Sequence, residues 1–132
     1  MTTNIYDRIS YHAVYDASII EALRYANANG FAGIQIADET PHLSFERLSN
    51  AEIGMIAEYI GSEGVYATLH APDETTSLFQ CSRFLRAGVA SYYDALFSFA
   101  KQIGVWMVTI HLGAMTVFPT DDETGRRLPK DD

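Results

Sequence analysis

A single cysteine, one tryptophan and four prolines occur among the 132 residues. One thiol has no internal partner for a disulfide, so the chain must be held by its core. Cys81 lacks a neighbouring His or basic residue that would activate it, and a buried thiol is expected there. Basic residues are also scarce, with nine Lys plus Arg against seventeen Asp plus Glu and a net charge of −8. Arg126, Arg127 and Lys130 stand among acids near the C-terminal end. No basic stripe is left, which disfavours nucleic acid as a partner, because nonspecific affinity for phosphates rests mostly on Lys and Arg. No apolar run approaches the ~18 residues of a membrane span, and residues 1–8 lack the basic start and apolar core of a signal peptide. No membrane partner and a cytoplasmic location are therefore expected. Gly-rich phosphate loops, Ser-centred elbows and Cys-pair metal motifs are missing too.

What is present is core material. The sequence is 48% hydrophobic and 12% aromatic, which is not the composition of a disordered chain. The length suits one domain with a real core, yet it is about half of the roughly 250 residues of a closed eight-stranded βα barrel.

Three segments share one grammar, a helix-like stretch that stops at a glycine followed by an apolar, β-rich run. They are 30–38, 64–71 and 104–113, opening at Gly30, Gly64 and Gly104. A glycine just past a helix is a common stop because it adopts the left-handed conformation without a Cβ clash. Ser18 with Glu21, and Ser49 with Glu52, read as capping boxes that open two helices. Ile19, Ile20, Leu23 and Ala26 form the apolar stripe of the first, and Ile53, Ile56, Ala57 and Ile60 that of the second. A third helix is predicted over 83–103, with a bulky stripe from Leu85 through Val89, Tyr92, Tyr93, Leu96 and Phe99 to Ile103, and with Gly88 as a soft spot. The β-branched and aromatic run 9–15 reads as a strand before the first helix.

Strands alternating with helices in this way imply an α/β fold with a parallel sheet and right-handed crossovers. Residues 114–132 read as a long polar loop leading to the start of a fourth helix near Pro129.

In parallel βα sheets, ligands bind at the carboxyl ends of the strands. The polar residues Asp38, Glu39, His70, Asp73 and His111 fall at those ends, and His42 lies in the loop after Glu39. Two imidazoles on neighbouring strand ends can share a divalent cation, so His70 and His111 are the candidate metal ligands; a third ligand must come from elsewhere. Asp38, Glu39, His42 and Asp73 are the candidate substrate-binding residues, although adjacent Asp38 and Glu39 must point in opposite directions. His12, within the first strand, reads as a core or rim residue.

Residues 29–36 (NGFAGIQI), 69–72 (LHAP) and 109–113 (TIHLG), in this order and spacing, resemble the N-terminal half of the xylose isomerase-like TIM-barrel superfamily. That superfamily includes sugar-phosphate isomerases/epimerases and endonuclease IV, the family-2 apurinic/apyrimidinic endonucleases. The resemblance runs from about residue 9 to 128 and implies one partial domain, the first half of a TIM-type barrel built of parallel βα repeats. In the endonuclease branch, histidines matching His70 and His111 are zinc ligands. In the isomerase/epimerase branch, the metal is held mostly by carboxylates and a His from the fifth to eighth strands, and the third- and fourth-strand positions line the substrate pocket. Those later strands are not in this sequence, and the branch's His-Pro-Gly stands here as His111-Leu112-Gly113.

The resemblance implies three readings. The first is a metal-dependent sugar or sugar-phosphate isomerase/epimerase, with Zn, Mn or Mg and a small carbohydrate-like substrate. The second is a metal-dependent endonuclease cutting beside abasic sites. The third is a noncatalytic half-barrel that binds a small ligand or associates, since a half-barrel leaves its inner face and two strand edges uncovered. A homo-oligomer that completes the barrel is the expected assembly.

Overall fold

In the computed structural model, described over residues 5–72, 75–80 and 82–113, four strands pair side by side in chain order and all run parallel. They are β1 (Ser10–Ala13), β2 (Gly33–Ala37), β3 (Tyr66–His70) and β4 (Met107–Thr109). The connecting helices are α1 (Ile19–Ala28), α2 (Asn50–Glu63) and α3 (Arg83–Ile103). This is the expected half-barrel of βα repeats. The segment 114–132, Asp73 and Cys81 lie outside the described residues. No helix among those described is long and apolar enough to cross a membrane.

The helix boundaries follow from local chemistry. At α2 the capping box closes in both directions: Ser49 Oγ accepts from the Glu52 N–H, and the Glu52 carboxylate accepts from the Ser49 N–H. At α1 only half of the expected box forms, with Ser18 Oγ accepting from the Glu21 N–H. Gly64 and Gly104 end α2 and α3 in the left-handed conformation, at φ 71° and 76°. These stops consume the first residues of the predicted strands, so β3 and β4 begin later than 64 and 104. β4 is the shortest of the four because only residues 68–70 of β3 pair with it.

The sheet has one greasy face and one polar face. Ile34, Ile36, Ala67 and Leu69 point toward the helices and are fully buried with Leu23, Leu96 and Ile103. Alternation sends the intervening residues to the opposite face, where the register aligns His12, Gln35, Thr68 and Met107 in one row and Ala37, His70 and Thr109 in the next. His12 is exposed on this inner face, at the edge strand, and not part of the core. The helix stripes cover the greasy face unevenly. Leu85, in the first turn of α3, is 57% exposed, contrary to its place in the predicted stripe, and Ile56 is the only fully buried member of the α2 stripe.

Gly33 is needed for the inner face to close at its lower end. The Tyr66 ring lies over it, and a Cβ there would meet Tyr66 Cδ2 at 2.7 Å and the Tyr66 carbonyl oxygen closer still. The ring thus spans from β3 across β2, leaving its hydroxyl 3.5 Å from Ser10 Oγ on β1.

Candidate functional site

The carboxyl ends of β2, β3 and β4 bring Glu39, His70 and His111 together. His70 is the last residue of β3, held in register by the Asp38 N–H, which donates to the His70 carbonyl at 3.0 Å. His111 follows β4 by two residues. It is framed by two cross-links, Ala71 N–H to the Thr109 carbonyl at 2.9 Å and Leu78 N–H to the Leu112 carbonyl at 3.0 Å. The His70 and His111 Nε2 atoms lie 3.1 Å apart. On the other side of the His70 ring, Nδ1 is buried and has Glu39 Oε2 at 3.5 Å, an ion-pair contact without hydrogen-bond alignment.

Asp38 and Glu39 diverge as strand alternation requires. Asp38 is 4% exposed, and both its oxygens are engaged: Oδ1 accepts from the Phe45 N–H at 2.9 Å, and Oδ2 accepts from the Tyr92 hydroxyl of α3. Burial, reinforced by the Asp38 carboxylate, pushes the Tyr92 phenol well above its ordinary value. Asp38 therefore ties the loop after β2 to α3, while the half-exposed Glu39 carboxylate turns toward His70. His42 is exposed in that loop.

Between the loop after β2 and α3 opens a cavity of about 810 Å³, lined among others by Asp38, Glu39, Arg47, Phe84, Val89 and Tyr92 but by neither histidine. The sequence reads Tyr92 only as helix packing and gives Phe84 no role. Their position on α3 opposite the β2 loop depends on long-range packing that no local motif encodes.

Two imidazoles that hold one tetrahedral ion at 2.0–2.1 Å place their nitrogens about 3.3 Å apart, and the observed 3.1 Å is close to that. Glu39 approaches the opposite nitrogen of His70, where a carboxylate fixes the tautomer of a ligating imidazole. A carboxylate at that nitrogen would orient the ring of a ligating His70 rather than serve as a third ligand. No cluster of three or more candidate ligands occurs among the described residues. The pair fits a cation as two of its ligands.

No family model matches the sequence, and no curated protein matches it. Among solved structures, the chain is similar to a D-psicose 3-epimerase from Clostridium cellulolyticum H10 solved with D-tagatose. That alignment has 14% identity and a TM-score of 0.66, and covers 78% of this chain and 36% of that one. A D-psicose 3-epimerase solved in the presence of D-fructose aligns at 16% identity and a TM-score of 0.63, over 92% of this chain and 41% of that one. The chain therefore spans well under half the length of these structures. Likeness at such identities is one of fold, and it agrees with the expected first half of a TIM-type barrel built of parallel βα repeats.

Proposed function

We propose that this chain forms one wall of a divalent-cation-assisted ketose isomerase or epimerase site, in which His70 and His111 contact the cation and substrate oxygens and Glu39 orients His70. The observation that carries the reading is the Glu39–His70–His111 line at the strand ends, where βα barrels bind their ligands. Similarity of fold to the two epimerases supports the substrate class, and the net charge of −8 favours a small sugar over a polyanion.

The side chains divide the work by which nitrogen carries the proton. A proton on His70 Nδ1 faces Glu39, leaving the Nε2 lone pair free. Without a cation, His111 then donates its Nε2 proton across the 3.1 Å contact; with one bound, that proton would move to Nδ1 and leave Nε2 free as a ligand. A bound cation would polarise the substrate carbonyl as a Lewis acid. The carboxylate that moves the proton beside that carbonyl is not among these three residues.

The test is exchange at carbon. Protein saturated with Mn²⁺ or Co²⁺ is incubated with D-fructose, D-psicose or D-tagatose in deuterated water, and label beside the carbonyl is followed by NMR. Incorporation above the metal-only blank, lost in His70→Gln, is expected; incorporation no faster than the blank refutes catalysis by this chain. Histidines at both strand ends also suit the endonuclease reading, which predicts salt-sensitive binding to abasic duplex DNA; the shortage of basic residues stands against it.

A further inference from the structure

We infer that a second copy of this chain closes the sheet into an eight-stranded barrel, and that His12 of the partner subunit joins His70 and His111 as the third ligand of a divalent-cation site shared between the two copies. The inference deepens the cation reading above and rests on the His70–His111 pair binding metal.

The first argument is the shape of the exposed edges. β1 and β4 are the outer strands of a sheet whose pairings are all parallel, so among the described residues each has one side of its backbone without a strand partner. A two-fold axis places β4 of one copy against β1 of the other twice over. Both new pairings are parallel, and four strands from each copy make the number at which this fold closes. The β4 edge also carries apolar surface suited to burial, with Trp106 66%, Met107 42%, Ile110 40% and Leu112 60% exposed. The inner face, with Ser10, His12, Gln35, Thr68 and Thr109, is polar enough to line a site, and His12 on it is exposed.

The second argument is register. A closed barrel of this type slips by about eight residues in each circuit of its hydrogen-bonded rows. Right-handed crossovers set each successive strand to the right when viewed from the helices. The strands lean the same way, so a row followed in chain order descends toward the strand starts. Half a circuit descends about four residues. The row through His12, Gln35, Thr68 and Met107 thus arrives at Arg8 of the partner subunit, and the row through His111 arrives at His12 of the partner subunit. An even slip preserves the inside–outside alternation, so both histidines face inward. Three imidazoles are the protein ligand number of an open catalytic zinc-type site. One copy supplies only two Nε2 atoms.

Two measurements test this together, light scattering of the purified chain and Co²⁺ titration followed by visible absorption. At tens of micromolar, a species of twice 14.7 kDa is expected, binding one Co²⁺ per chain. His12→Gln, a change at an exposed side chain, should keep the dimer and weaken Co²⁺ binding at least tenfold; His111→Gln should do the same. Mixing the two variants after dissociation and reassociation should restore tight binding at one site per heterodimer, because each heterodimer rebuilds one complete ligand set. A folded monomer, wild-type affinity in His12→Gln, or no recovery on mixing overturns the shared site. Failure of wild-type dimer to bind Co²⁺ instead refutes the cation reading on which it rests.

Discussion

Asp38 at the end of β2 and Tyr92 in the middle of α3 are joined by a hydrogen bond from the tyrosine hydroxyl to the carboxylate, across 54 residues of sequence. The same carboxylate accepts from the Phe45 N–H. One buried acid thus fixes the loop after β2, the helix that follows β3, and, through its neighbour Glu39, the side chain that faces His70. Replacing Asp38 with Ala strands two partly buried donors, and a loss of about 1–3 kcal/mol in urea unfolding is expected.

Alkaline pH should weaken the same link. Burial and the adjacent carboxylate raise the Tyr92 phenol above its ordinary value of 10.0. Below about pH 10 the group is protonated in both folded and unfolded chains, and its contribution is fully present. As pH rises further, the unfolded chain releases the proton while the folded one retains it, so stability declines. The fall of the unfolding midpoint above pH 10 should be shallower in Tyr92→Phe. It should not vanish, because burial and Asp16 raise Tyr11 in the same direction.

Gly33→Ala should be among the most damaging single-methyl changes in the protein. The new Cβ would press on the backbone carbonyl and ring of Tyr66, and β2 is held between β1 and β3 with no room to retreat. A loss of about 3 kcal/mol is expected from overpacking. Gly54→Ala, where a Cβ meets nothing within 4 Å, should instead be neutral or stabilising by up to about 1 kcal/mol as helix propensity improves. Thermal unfolding of the pair separates the two effects.

Leu96 is fully buried where α3 meets the sheet. Its truncation to Ala should cost about 2–5 kcal/mol, the sum of lost transfer energy and a residual cavity. The half-exposed Phe97 next to it should tolerate Ala far better, and chemical denaturation of both variants reads the contrast.

The strand–helix order, the α3 limits and the clustering of His70 and His111 were legible in the sequence because each rests on local signals: glycine stops, serine caps, and polar residues ending apolar runs. The exposure of Leu85 was not, since stripe periodicity shows which side of α3 is apolar without showing that its buried part begins only at Tyr93. Nor was the division between Asp38 and Glu39. Alternation required them to diverge, but only the packing of Tyr92 and Phe45 decides that Asp38 turns inward. The exposed position of His12 likewise follows from β1 being an edge strand, a property of topology and not of its neighbours in sequence.

As proposed above, Glu39, His70 and His111 act as one unit that presents two imidazole nitrogens to a cation. Long-range ¹H–¹⁵N correlation spectra of the imidazoles, recorded without metal and with Zn²⁺, test it most directly. The account predicts that His70 holds its proton on Nδ1 in both states, that both Nε2 signals move to metal-bound positions on adding Zn²⁺, and that His111 shifts its proton from Nε2 to Nδ1. Unchanged Nε2 signals at saturating Zn²⁺, or a His70 proton on Nε2 in both states, would contradict it.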